Sequence, residues 1–214
     1  MGWIDDTRAS YDEVAEDYQP MVWAMFDEIV VERSMLTAFA SLVTQPGVVA
    51  DIGCGPGDIT AHLAGQGLDM IGIDLSPGMV AVARRNHPTI DFREGDMTAL
   101  DLADGELAGA VSWWSTVHVP NSTLPLVMSE LHRVTVAGGH VLVGFHAGDE
   151  CRHKTEGYGG HPIVLDVYLR PPDDIIAAAA AAGLDLRAQL TVKRSVGSDQ
   201  CCLIFRKPIG RPEG

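Results

Sequence analysis

Hydrophobic and polar residues change their period part-way along the chain. From Arg8 to about Val43 the apolar positions recur at helical spacing (Met25, Phe26, Ile29, Val30, Met35, Leu36, Phe39, Leu42), which predicts two helices broken at Gln19-Pro20. After Gln45-Pro46-Gly47 short apolar runs alternate with helical stretches, at 48–52, 70–74, 90–92, 109–113 and 140–145. Such alternation predicts a parallel sheet built from βαβ units. Ser76-Pro77 supplies an N-cap followed by a proline suited to a first helical turn. Leu124, Val127, Leu131 and Val134 form one apolar stripe that stops before Gly138-Gly139. Pro171-Pro172-Asp173-Asp174 opens a last helix with acids at its positive end, and its alanine run stops at Gly183. Segments 184–193 and 200–206 then predict an antiparallel hairpin joined across Gly197.

The length of 214 residues suits one domain able to bury a core without metal or disulfide staples. Fifteen basic against 29 acidic residues give a formal charge of −14, which disfavours a broad nucleic-acid footprint. Cys54, Cys151, Cys201 and Cys202 make no CxxC pair, so a reducing cytoplasm is the expected location. The acidic start lacks a basic region followed by an apolar stretch and predicts no signal peptide. No apolar run reaches membrane-spanning length. The expected organisation is a single domain with a helical extension or lid over 1–45, a core over 46–147, an insertion over 148–170, and the last helix with its hairpin over 171–207.

Candidate chemistry starts at Asp51-Ile52-Gly53-Cys54-Gly55-Pro56-Gly57. A glycine-rich turn between a strand and a helix lets backbone N–H groups approach a ligand where no Cβ intervenes. A dinucleotide fingerprint reads GxGxxG, whereas this run is GxGxG with Asp51 two residues ahead. Asp74 ends the second predicted strand, where an acid accepts hydrogen bonds from ribose hydroxyls; capping the next helix is its simpler role. Glu94-Gly95-Asp96-Met97 follows the third strand, and Asp96 is either an acceptor for an exocyclic amine or a turn aspartate.

The stretch from Val49 to Gly57, Gly72-Ile73-Asp74-Leu75-Ser76, Gly95-Asp96-Met97, and Leu131-His132-Arg133-Val134 leading into Gly138-Gly139-His140 together resemble the class I S-adenosylmethionine-dependent methyltransferases. The likeness is to their small-molecule branch, which includes ubiquinone and menaquinone biosynthesis enzymes. It implies an α/β, Rossmann-like, seven-stranded, mostly parallel sheet with one antiparallel strand, helices on both faces and an N-terminal helical extension. By the same resemblance S-adenosylmethionine is the cofactor and S-adenosylhomocysteine its product. The Gly53, Cys54, Gly55 and Gly57 loop would hold the methionine portion, with Asp51 helping to place its amino group. Asp74, with Leu75 beside it, would bind the ribose, and Asp96 with Met97 would bracket the adenine. Trp113 would face the cofactor or the substrate entrance, and Tyr11 and Tyr18 would belong to a lid.

The acceptor end is less determined. An activated methyl needs chiefly alignment and exclusion of water, but a hydroxyl acceptor would benefit from a base. His118 after the fourth strand and His146 after the fifth are candidates, with a structural role open for each. The segment from His146 to His161 holds Asp149, Glu150, Cys151, His153 and Tyr158 as well, yet matches no zinc spacing. It reads as a substrate-facing loop that Gly157, Gly159 and Gly160 allow to move. In Trp113-Trp114 strand alternation would send one ring toward an acceptor and the other into packing. Trp23 and Met25 read as core or lid packing. The chain lacks the Asn/Asp-Pro-Pro-aromatic motif, the magnesium-binding acid of catechol enzymes and the Pro-Cys nucleophile of cytosine-C5 enzymes. By resemblance the acceptor is therefore a small molecule, for O-, N- or C-methylation by a monomer or homodimer. Two other readings stay open: a cofactor-binding or regulatory protein of the same fold without turnover, and a nicotinamide-dependent oxidoreductase, which GxGxG disfavours.

Overall fold

The computed structural model describes residues 2–210, and the side chains of all of these except 22–28. Trp23, Met25 and Phe26 therefore lie outside the described side chains. Two helices, α1 (Trp3–Glu28) and α2 (Val30–Leu42), precede the alternating part. There follow β1 (Val49–Ile52), α3 (Asp58–Gly65), β2 (Met70–Asp74), α4 (Pro77–Asn86), β3 (Asp91–Glu94), β4 (Leu107–Trp113), α5 (Leu124–Val134) and β5 (Thr135–Ala147). The chain then forms β6 (Glu150–Gly157), β7 (His161–Leu169), α6 (Pro172–Ala181), β8 (Asp185–Val192) and β9 (Asp199–Arg206).

Seven strands make one sheet in the order β3-β2-β1-β4-β5-β9-β8. The first five strands are parallel, and β9 runs antiparallel to both β5 and β8. Strand period two splits the sheet side chains between two faces. Ala50, Ile52, Ala110, Val141 and Val143 meet Val127, Leu131 and Ile175 of α5 and α6. Val49, Val111, Leu142 and Ile204 meet Leu36, Phe39 and Leu63 of α2 and α3. The strand order reverses between β1 and β4, and in such sheets the ligand crevice opens beyond the carboxyl ends of those strands.

Two expectations need correction. The helix break falls at Ile29, not at Gln19-Pro20; α1 runs on through Pro20. A proline inside a helix removes one i→i−4 bond, at about 3 kcal/mol. Here Pro20 and Glu16, whose carbonyl loses that donor, are both exposed, so water replaces the bond. Upstream, Val14 and Ala15 pack with Met79, Val82, Ile163 and Leu165, which holds α1 straight onto α4 and β7. Secondly, the segment His146 to His161, expected as a loop, is the end of β5 followed by β6, which pairs antiparallel with β7, and Ile163 and Leu165 alternate inward on β7. Tyr158 (φ +49°), Gly159 (+93°) and Gly160 (+97°) make its turn.

Residue 170 ties this hairpin to the sheet. The Arg170 N–H donates to the His146 carbonyl, and its guanidinium is 1% exposed. That guanidinium donates to the carbonyl oxygens of Thr116 and Val119 and to Asn121 Oδ1, so it holds the turn that contains His118. Burial pushes its pKa down to about 10, which leaves it charged at neutral pH. Replacing it by methionine keeps the apolar stem but leaves buried carbonyls unpaired, at about 1–3 kcal/mol each. Arg170→Met is expected to cost about 3 kcal/mol and to lower the melting temperature by roughly 6–12 °C. Thermal unfolding by circular dichroism checks this, and an unchanged midpoint would remove the role.

Candidate functional site

A single pocket gathers the carboxyl ends of the strands and the inner face of α1. Its floor is Ile52, Gly53, Gly55, Asp74, Leu75, Ser76, Gly95, Asp96 and Met97. Its opposite wall is Trp3, Thr7, Arg8, Tyr11 and Tyr18 from α1, with Trp113, Trp114, Ser115, His118 and Val119 after β4.

The glycine loop is shaped by what lies beside it. Gly53 sits at φ +77°, and a Cβ there would lie 2.2 Å from the Ser115 Cβ. Ser115 is fixed in that position by donating to the Ile52 carbonyl at 2.6 Å and by its contact with Ser112 Oγ at 2.7 Å. The Gly55 N–H donates to Asp74 Oδ2 at 2.7 Å, and the Tyr18 ring lies directly over Gly55.

Three carboxylates behave differently. Asp51 is 1% exposed; its Oδ2 accepts from Thr60 Oγ1 at 2.8 Å, while its Oδ1 is buried without a partner. Burial raises its pKa to about 7, with Thr60 opposing and the negative field of Asp74 adding. Asp74 accepts from Gly55 and, through Oδ1, from the Ser76 N–H at 2.9 Å. Burial raises its pKa too, and its two N–H donors oppose that. Asp96 Oδ1 takes the Thr98 N–H and hydroxyl, both at 2.8 Å, so the turn role is real and Oδ2 is left over.

Helix α1 is stitched over this floor. Asp12 Oδ1 accepts from Ser76 Oγ at 2.5 Å and from the Gly78 N–H at 2.9 Å, at the start of α4. Ser10 Oγ contacts Val164, accepting from its N–H at 2.9 Å. The Tyr11 hydroxyl lies 2.7 Å from His118 Nε2. His118 is 7% exposed, and burial depresses its pKa to about 4.

Not every expected site residue faces the pocket. Cys54 and Gly57 stand outside its lining: Cys54 is packed with Val80, Ala83 and Phe92, and a Cβ on Gly57 would meet the Phe92 ring at 2.7 Å. Gly57 serves instead as the N-cap of α3. Asp51 lies beneath the loop rather than in the wall. His146 belongs to β5 rather than following it, and it approaches the pocket only through Trp114, whose ring centroid is 6.2 Å away. Its Nδ1 is met by Ser198 Oγ and Gln200 Nε2. Both tryptophans line the pocket, their rings edge to face at 4.4 Å. The alternation argument failed because Trp114 leaves the strand at φ +53°. Of the 146–161 cluster, His153 pairs with Asp166, and His161 with Glu13 and Asp17. Trp3, Thr7, Arg8 and Ser115 were missed, although Trp3, Thr7, Tyr11 and Tyr18 share one helical stripe that pattern reading could have marked.

An open sheet in the order β3-β2-β1-β4-β5-β9-β8 with β9 antiparallel, a glycine loop after β1 and an acid ending β2, is a Rossmann-like fold. Residues 49–139 match the family described as Methyltransferase domain. The demethylmenaquinone methyltransferase of Renibacterium salmoninarum is 33% identical over 157 residues, covering 72% of this chain and 62% of the relative. The trans-aconitate 2-methyltransferase of Methylobacterium nodulans is 37% identical over 142 residues, covering 64% of this chain and 50% of the relative. The chain thus spans half to under two thirds of the length of these curated relatives. Among solved structures, the DhpI–SAH complex aligns with TM-score 0.73 and 20% identity over 97% of this chain and 98% of its own. Burkholderia thailandensis 1,6-didemethyltoxoflavin-N1-methyltransferase, with bound 1,6-didemethyltoxoflavin and S-adenosylhomocysteine, aligns at 0.72 and 18% identity over 95% and 88%. These likenesses show the fold. Among the described residues no helix is long and apolar enough to cross a membrane.

The cradle is sterically narrow at Gly53, where alanine would need both a left-handed backbone and space that Ser115 fills. Gly53→Ala is expected to weaken any ligand of this pocket at least about tenfold, as a 1.4 kcal/mol distortion would. Calorimetric titration of the variant measures it; wild-type affinity would show that the loop yields freely.

Proposed function

We propose that the chain binds S-adenosylmethionine in this pocket and transfers its methyl group in line to a small-molecule acceptor, with S-adenosylhomocysteine as product. The observation that carries the reading is Asp51: a buried carboxylate oxygen without a partner, beneath a glycine loop, suits a cation that brings N–H donors. When bound, the sulfonium supplies an already activated methyl, so the protein's task is placement and exclusion of water. Gly53 and Gly55 would leave room for the methionine portion, with Asp51 taking its ammonium. Asp74 retains lone pairs beyond its two backbone donors for the ribose hydroxyls, and Leu75 lines the same floor. Asp96, through Oδ2, and Met97 would flank the adenine. Trp113, Tyr18 and the rest of α1 would close the pocket against water, which makes 1–45 the lid and 148–170 the acceptor-side insertion.

The relatives named above are small-molecule methyltransferases, which supports a small metabolite as acceptor. The acidic surface argues against a nucleic-acid substrate, and three buried thiols among the four cysteines suit a reducing cytoplasm. Monomer and homodimer are both compatible with this reading.

The test is isothermal titration with S-adenosylmethionine and S-adenosylhomocysteine, with NAD as control. Binding of the first two and not of NAD is expected; no binding of either sinks the reading. Asp74→Ala is expected to lose at least about tenfold in affinity, equivalent to one charged hydrogen bond. Binding should also depend on pH through Asp51. A bound cation favours its ionised form, so binding releases a proton wherever free Asp51 is protonated, below about pH 7. Affinity is therefore expected to be level above that pH and to fall by up to about tenfold per unit below it, and Asp51→Asn should flatten the curve. A pH-independent affinity in the wild-type protein would contradict the assignment. Product formation with an acceptor then separates an enzyme from a binding protein that keeps the same pocket.

A further inference from the structure

The acceptor side of the pocket carries a hydrogen-bond chain whose direction is fixed by its inner end. His118 Nδ1 lies 2.8 Å from the Asp166 carbonyl oxygen. A carbonyl only accepts, so Nδ1 carries the proton. Burial disfavours the imidazolium and keeps His118 neutral down to about pH 4, so Nε2 bears a lone pair at any ordinary pH. The Tyr11 hydroxyl, 2.7 Å away, must then be the donor to Nε2. With its hydrogen committed, the Tyr11 oxygen can only accept. The Tyr158 hydroxyl at 3.3 Å is consequently a donor to it, the Tyr18 side chain is also hydrogen-bonded with Tyr11, and Tyr11, Tyr18 and His118 all line the cavity.

We propose that this Asp166–His118–Tyr11 chain is a specificity device: it reads a hydrogen-bond donor, an O–H or N–H, on a flat, uncharged aromatic acceptor molecule. The inference rests on the preceding reading, in which the acidic floor belongs to the cofactor and the α1 wall to the acceptor. Flatness follows from the walls, because Trp3, Trp113 and Trp114 offer ring faces and edges to a planar ligand. Charge follows from the surroundings. A carboxylate would place its lone pairs against the Tyr11 oxygen and lie close to Asp74 and Asp96, and among the described residues the one Lys or Arg lining the pocket, Arg8, is exposed. Tyr11 is thus a specificity residue, and His118 a positioning residue that acts through it, with no proton transfer required of either.

The experiment titrates the full-length protein by calorimetry, with and without S-adenosylhomocysteine, using 2-naphthol, its methyl ether and 2-naphthoate. The naphthol is expected to bind at least about tenfold more tightly than the ether, the worth of one hydrogen bond made in a dry site, and the naphthoate more weakly than the naphthol. Tyr11→Phe keeps the ring and its packing, and should bring naphthol and ether to within about threefold of each other. A melting curve checks that this variant is folded, and the wild-type comparison stands without it. Equal wild-type affinities for naphthol and ether, a preference for naphthoate, no binding of any probe, or a naphthol preference that survives in Tyr11→Phe would each overturn the proposal. Failure of S-adenosylhomocysteine to bind, with the naphthol preference intact, would instead overturn the cofactor reading alone.

Discussion

The buried carboxylate of Asp74 is the joint between the parts of this molecule that make the pocket. A charge taken out of water needs hydrogen-bond donors, and Asp74 takes them from two loops, the Gly55 N–H after β1 and the Ser76 N–H at the start of α4. Ser76 continues the connection by accepting from the Met79 N–H and donating its hydroxyl to Asp12 of α1. Asp12 also accepts from the Gly78 N–H. The first turn of α4 is therefore satisfied by its own cap Ser76 and by Asp12 of α1, which couples its capping to the docking of α1. Loss of α1 would leave the Gly78 N–H without its acceptor, which ties the docking of α1 to the integrity of a helix end.

That joint also creates the pocket's polarity. Asp51, Asp74 and Asp96 gather at or beneath one end, and burial raises the pKa of the first two against the hydrogen bonds they accept, with no cation among the described residues offsetting it. The other end is aromatic, with its hydroxyls already engaged in a chain that begins at a backbone carbonyl. An electron-poor, cationic group is favoured at the first end and a neutral ring at the second. A molecule that is anionic throughout fits neither.

How much of this was legible in the sequence depended on whether neighbours in space were neighbours along the chain. Strands β1, β2 and β4, the Ser76 cap, the stripe of α5, the Gly183 stop and the C-terminal hairpin were readable because period, caps and turn residues are local signals. Asp74 and Gly55 were found for the same reason. Local rules failed at Pro20, where tertiary packing on α4 and β7 overrides a breaker, and at Trp114, where a positive φ removes the alternation that the argument assumed. The hairpin over 148–170 was hidden because β6 is exposed along its length and carries no alternating burial. Arg170 and Ser115 gave no sequence signal at all. Each acts on residues brought near only by the fold: Arg170 on the turn at Thr116–Val119, Ser115 on the space above Gly53.

This split has a structural logic. The floor is built from consecutive strand–helix units and lies within residues 49–139, the segment that matches the methyltransferase domain family. The opposite wall combines α1, which precedes that segment, with the turn after β4, and this turn is held from outside the segment by Arg170 and by the Asp166 carbonyl. Residues of β7 and position 170, and those of α1 apart from Tyr18 against Gly55, can therefore change without removing a hydrogen bond of Asp51 or Asp74, since among the described residues none runs to them directly. The exception is Asp12, which reaches Asp74 only through Ser76. A pocket divided in this way would allow one half to keep its ligand while the other varies. The hydrogen-bond chain ending at Tyr11 runs along the opposite wall, where a single hydroxyl decides whether that wall offers an acceptor.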